Sequence, residues 1–242
     1  MIIFAYLRLR SEYPGLDGGS DSDAALLDRT LPFNLMVLLK KFAFAIFLML
    51  SVISCSDVQV NIPGVSKPVF RDEFVLGETG TWLLESDESG STTIVPEQLL
   101  IEINSPQMVQ YATLTEPALA DFSLEVDGRI LSGSPQGSYG VLFRMQNPQQ
   151  FYRFEITGDG TYILERHDAG GSRALFMGDW RDGPSINQGL NVVNRLGVQA
   201  QGPNISLLVN DVLLEQITDD AYASGYIGLD AGTFDMAPVQ VA

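Results

Sequence analysis

Tyr152-Arg-Phe-Glu-Ile-Thr-Gly-Asp-Gly-Thr-Tyr-Ile-Leu-Glu-Arg166, in a chain of 242 residues, has the sequence of a complete β-hairpin. In its first half, apolar Phe154 and Ile156 alternate with Arg153 and Glu155. A period of two sends the apolar side chains to one face of a strand and the polar ones to the other. Gly158-Asp159-Gly160 follows, residues that tolerate the positive φ a tight hairpin turn requires, and a second β-type run begins at once. The stretch predicts a hairpin with strands over Tyr152–Thr157 and Thr161–Arg166.

The same grammar extends in both directions. Asn210-Asp211 separates Ile205–Val209 from Val212–Ile217 as a second hairpin turn, and Phe122-Ser-Leu-Glu-Val126 alternates cleanly. Further strands are expected at Val69–Phe74, Leu99–Asn104, Met108–Thr113, Phe122–Val126, Gly140–Met145, Leu190–Ala200 and Tyr226–Asp230. Gly or Pro interrupts most windows of twelve residues, so no amphipathic helix is expected. Many short strands at this spacing predict an all-β, antiparallel, two-sheet sandwich.

Charge narrows the partners. The net charge of −16 belongs to the part beyond Cys55, which holds 9 basic and 25 acidic residues and a single lysine, Lys67. Such a surface repels polyphosphate, so nucleic acid is excluded as a partner; neutral glycans, cations and basic envelope proteins remain open. With one cysteine the chain forms no internal disulfide.

That cysteine closes an export signal. Met36-Val-Leu-Leu-Lys-Lys41 is a short basic segment, Phe42–Ile53 is apolar, and Ser54-Cys55 leads into polar Ser56-Asp57. Twelve helical residues rise about 18 Å, short of a bilayer core of roughly 30 Å, which argues against a permanent span. Val52-Ile53-Ser54-Cys55 resembles a lipobox, which implies lipidation of Cys55 and its exposure as the mature N-terminus. The expected organisation is therefore an unstructured or wrongly assigned extension at 1–35, a lipoprotein signal peptide at 36–55, a tether at 56–68 and one domain at 69–242, lipid-anchored in the cell envelope and facing outside the cytoplasm.

Within 69–242 the residues Phe70-Arg-Asp-Glu-Phe74, Gly80-Thr-Trp82, Gly140-Val-Leu-Phe-Arg144, Gln150-Phe-Tyr-Arg-Phe-Glu155, Asp159-Gly-Thr-Tyr162, Asn191, Ile205-Ser-Leu-Leu-Val-Asn210 and Gly225-Tyr-Ile-Gly-Leu229 form an ordered pattern. It resembles the concanavalin A-like (LamG-like) lectin/glucanase sandwich, and in particular the domains found near 3-keto-disaccharide hydrolases. The resemblance implies a jelly roll. Members of the family end on a strand of the type Phe-Asp-Asn-aliphatic that pairs near the first strand, whereas here Val239-Gln-Val-Ala242 stands where it would begin. If the sequence is a piece of a longer protein, a central strand is expected to be missing. The resemblance also implies a structural calcium, with Asp72 and Glu73 in the position of one ligand group; no cofactor is otherwise required.

Catalysis is the weaker expectation. A retaining glucanase needs two carboxylates about 5 Å apart. The nearest match to the related enzymes' Glu-x-Asp-x-x-Glu strand is Glu125-Val-Asp127, but Ile130 stands at the second glutamate, and Asp127-Gly128 is expected to be a turn. His167, the only histidine, lies in a Gly-rich segment expected to be a loop, and no Gly-x-Ser-x-Gly elbow is present. For glycan binding the candidates are Tyr139, Arg144, Tyr152, Trp180 and Asn191, since aromatic faces stack on sugar C–H groups and planar polar groups orient hydroxyls. The expected function is a membrane-anchored lectin-like module without catalysis, with a glycoside hydrolase and a purely structural domain as alternatives.

Overall fold

The structure, a computed structural model, describes residues 2–11, 70–75, 81–176, 179–235 and 239–241. Among these the regular elements are all strands. In chain order they are β1 (Ile2–Ser11), β2 (Phe70–Asp72), β3 (Trp82–Leu84), β4 (Gly90–Val95), β5 (Gln98–Ile103), β6 (Val109–Leu119), β7 (Phe122–Ile130), β8 (Ser138–Asn147) and β9 (Gln150–Thr157). They continue as β10 (Thr161–Asp168), β11 (Gly171–Ala174), β12 (Arg181–Asp182), β13 (Asn194–Gln201), β14 (Asn204–Val209), β15 (Val212–Thr218), β16 (Gly225–Gly232) and β17 (Val239–Val241).

Two antiparallel sheets result. The first runs β15-β14-β13-β7-β1-β5-β17, with β2 on β1 and β4 on β5; the second runs β11-β10-β9-β8-β16-β6-β3, with β12 on β10. Both expected hairpins are present. Gly160 (φ 97°) closes β9–β10, and Asn210 and Asp211 (φ 52° and 66°) close β14–β15. Positive φ at both central residues is the hairpin turn whose twist matches the flanking strands.

The core lies between the inner faces. Leu124, Val126 and Val198 of the first sheet meet Val141, Phe143, Phe154 and Leu229 of the second, all at most 1% exposed. Strand β7 shows the pattern in pure form, alternating buried and partly exposed along its whole length.

Two expectations are corrected here. Asp127-Gly128 is no turn: β7 runs on through it to Ile130, flanked by β1 and β13, and Arg195 grips Asp127 with Nε at 2.7 Å and Nη2 at 2.9 Å. Residues 2–11, part of the extension expected to be unstructured or wrongly assigned, are not unstructured: they form a strand that pairs with β7 on one side and with β5 and β2 on the other. Their sequence, Ile-Ile-Phe-Ala-Tyr-Leu-Arg-Leu-Arg-Ser, is rich in residues that favour strands. Cys55, the signal segment 36–55 and the tether 56–68 lie outside the described residues.

Candidate functional site

Alternation in the second sheet places a different chemistry on the face turned away from the core. While Tyr152, Phe154 and Ile156 of β9 point inward, Arg153 and Glu155 point outward. Register sets their neighbours: Gly140 of β8 stands between Asp230 of β16 and Glu155 of β9, and Arg153 stands opposite Glu165 of β10. Gly140 is required where it is, because a Cβ there would lie 2.0 Å from the Phe154 carbonyl oxygen.

The outward groups are tightly connected. Ser138 Oγ donates to Glu155 Oε1 at 2.8 Å, and Arg153 Nε lies 3.3 Å from Glu155 Oε2. Arg153 also donates to Glu165 Oε2 from Nη2 at 2.6 Å and from Nε at 3.1 Å. His167, expected in a loop, is instead in β10, stacked on Phe151 with ring centroids 4.4 Å apart and with Nε2 at 3.3 Å from Glu165 Oε2. Burial alone would push the Glu165 carboxyl up; the His167 hydrogen bond and the Arg153 guanidinium outweigh it and hold Glu165 at about 2. Asp230 is the reverse. Its complete burial, followed by the neighbouring Glu155 charge, pushes its carboxyl well above the ordinary range against the pull of Arg153.

Over this floor stand two aromatic rings. Trp180 and Phe234 meet edge to face, with centroids 5.7 Å apart. They bound two adjoining depressions. One, of about 180 Å³, is lined by Ser138, Arg153, Glu155 and Glu165; the other, of about 270 Å³, by Gln136, Thr157, Asp159 and Thr161. Together they form an open groove with aromatic walls and a charged, hydrogen-bonding floor.

Of the ligand-binding candidates, the structure brings Trp180 to this groove. Tyr139, Arg144 and Tyr152 are corrected: they are 1%, 1% and 0% exposed and serve the interior. Tyr139 donates from its hydroxyl to the Gly128 carbonyl and accepts from Asn194 Nδ2. Arg144 donates to the carbonyls of Ala120 (2.9 Å), Gly202 (2.7 Å) and Tyr222 (3.1 Å), tying three loops together. Tyr152 stacks on Phe143 and donates to Asp219. Asn191 is exposed, but its φ of 62° and its Nδ2–H bond to the Leu131 carbonyl assign it to a turn. At the expected calcium position, Asp72 accepts from the Phe74 backbone N–H (2.8 Å) and from the Trp82 indole N–H (2.9 Å), and Glu73 pairs with Arg71 on the surface. No group of three His, Cys, Asp or Glu side chains able to hold a metal exists among the described residues.

No protein-family model matches the sequence, and no curated protein is similar to it in sequence. Solved structures are similar in shape. A carbohydrate-binding module, CBM66 from Bacillus subtilis, superposes with a TM-score of 0.50 at 15% identity, covering 64% of this chain and 93% of that one. A glycoside hydrolase family 16 endo-glucanase from Bacteroides ovatus superposes with a TM-score of 0.51 at 9% identity, covering 67% of this chain and 85% of that one. The fold is the concanavalin A-like jelly roll. At such identities the likeness shows the fold alone, and function has to be argued from this jelly roll's own groove. Arg153, Glu155, Glu165, Asp230 and Phe234 were not singled out from the sequence. The alternation in β9 announces a polar face, but the register that joins it to β10 and β16 is not written in any one segment.

Proposed function

We propose that the protein is a lectin-like, carbohydrate-binding domain that holds a glycan in the groove on the outer face of its second sheet and does not cleave it. The observation that carries this reading is the Trp180–Phe234 pair standing over Arg153, Glu155 and Glu165. Aromatic faces suit sugar C–H groups, and fixed carboxylate and guanidinium groups suit sugar hydroxyls. An acidic lining disfavours anionic sugars and leaves neutral glycans as the fitting class.

Hydrolysis is disfavoured by the state of the carboxyls. A glycosidase acid must carry a proton near neutral pH and reach the leaving oxygen. Glu165 is held low by His167 and Arg153 and so has no proton to give, and Asp230 is fully buried, out of reach of a leaving oxygen.

The proposal includes attachment to the cell envelope through a lipid on Cys55. Cleavage before Cys55 would separate β1 from the domain, but the groove belongs to the second sheet, in which β1 has no part. A glycan array probed with the protein and with Trp180→Ala tests the binding: neutral glycans retained by the first and lost by the second are expected. Turnover of a glycoside that disappears in Glu155→Gln would replace the lectin reading with a hydrolase.

A further inference from the structure

Asp230 is the one buried carboxyl that the groove's hydrogen bonding leaves over. Its exposure is 0%, and among the described residues no donor reaches either of its carboxyl oxygens. An ionised carboxylate in that position would be a buried charge with nothing to satisfy it, which proteins avoid by keeping the proton. The side chain it meets is itself a carboxyl, that of Glu155.

The arrangement is built by the backbone. Asp230, Gly140 and Glu155 are in register across three adjacent strands, and the middle position has no side chain. The two carboxyls therefore face each other over bare main chain. Gly232, two residues along β16 from Asp230, keeps the next space open: a Cβ there would lie 2.5 Å from Ser138 Oγ and 3.4 Å from Glu155 Oε1. The other groups around the pair are Arg153 beside Glu155 on β9, Glu165 and His167 on β10, Ser138 on β8 and Tyr111 opposite Asp230 on β6. Arg153 is the one full positive charge among them, and it is divided between Glu155 and Glu165. It cannot neutralise three carboxylates.

We propose that Asp230 is a positioning residue of the groove: a neutral carboxylic acid that donates its proton to Glu155 across Gly140 and so holds Glu155 and Arg153 as a fixed floor beneath Trp180 and Phe234. The Ser138 hydroxyl takes one Glu155 oxygen and the Asp230 proton completes the set, so the Glu155 carboxylate cannot rotate. Loss of that proton sets two buried negative charges side by side, and the floor comes apart. Its consequence for binding rests on the groove being the glycan site, but the proton itself is measurable without ligand.

The test is a carbon-detected NMR titration of the full chain with carbon-13 in its Asp and Glu carboxyls. Asp230→Asn assigns the Asp230 signal, and that substitution retains a side-chain donor towards Glu155. The expected result is an Asp230 carboxyl that stays in its acid form at a pH where the exposed aspartates of the same chain have ionised. Its titration midpoint should fall in Glu155→Gln, which removes the neighbouring charge, and the Glu155 signal should shift in step with Asp230 in the unaltered protein. An Asp230 signal that ionises together with the exposed aspartates overturns the proposal, as does a midpoint indifferent to Glu155→Gln. Either outcome leaves the glycan array result standing, whereas an intact Asp230 proton with no glycan bound by the protein sinks the functional reading alone.

Discussion

Arg144 and Gly140 show how differently two residues in one strand can be constrained. Arg144 is a buried cation whose donors are spent on the carbonyls of three separate loops, and desolvation lowers its pKa without displacing its charge from that role. Arg144→Met keeps the stem but strands those acceptors, so a loss of at least about 3 kcal/mol is expected. A urea midpoint within error of the parent would refute that role. Gly140 is constrained by space alone, with the Phe154 carbonyl where a Cβ would sit. Gly140→Ala is expected to lose about 3 kcal/mol or more and to separate β8 from β9; amide exchange along β9 would report it. Arg144 and Tyr139 drew attention in the sequence because Arg and Tyr commonly serve binding sites. The alternation of β8 turns Tyr139 inward, and the break in the β8–β9 register after Phe143, where Arg144 takes a φ of 48°, does the same for Arg144; both depend on partners far away in the chain.

At the level of elements, strands with several alternating residues or a well-marked turn were legible. Each of the eleven expected strands has a counterpart, with β7 extended by Asp127–Ile130, β2 shortened to Phe70–Asp72 and β13 starting only at Asn194. The other strands that escaped are those with little pattern to show: β3, β11, β12 and β17 span two to four residues, and β4 is Gly-Ser-Thr-Thr-Ile-Val. Strand β1 escaped for another reason, since it lies in sequence ahead of a segment that reads as an export signal. Its ten residues pair with β7 along their length and with β5 and β2 on the other edge. Removal of residues 1–35 is therefore expected to lower the urea midpoint, because β7 and β5 each lose a neighbour. An unchanged midpoint would mean that β1 contributes nothing to the folded domain. Processing at Cys55 would carry the same cost, so the anchored form is expected to unfold more easily than the uncleaved chain; the mass of the membrane-extracted protein tells which form is present.

For the molecule as a whole, the groove makes stability depend on pH at both ends. Glu165 is depressed to about 2. Its contribution is present above its unfolded value, about 4.3, and is lost as pH falls from there towards 2. Asp230 is raised, so the folded state binds a proton that the unfolded state has released. Its contribution is complete below the unfolded aspartate value, about 3.9, and is lost as pH rises through the folded value. Asp230→Asn should flatten the alkaline side of the profile and leave the acid side in place; thermal midpoints of the two proteins across pH measure this. A parallel decline in both would place the alkaline sensitivity elsewhere.

The jelly roll is common to binding modules and to hydrolases, and the groove of this protein pairs aromatic walls with carboxyls that are either held ionised or sealed from solvent. Trp180 and the floor beneath it are expected to bind a neutral glycan without cutting it. Isothermal titration of the full chain with a neutral oligosaccharide retained on the array, with the sugar recovered and weighed by mass spectrometry afterwards, tests this most directly. Saturable binding is expected, at least about tenfold weaker in Trp180→Ala for the loss of a stacking anchor, with an oligosaccharide of unchanged mass. Equal affinity in Trp180→Ala, or recovery of shortened sugar, would contradict it.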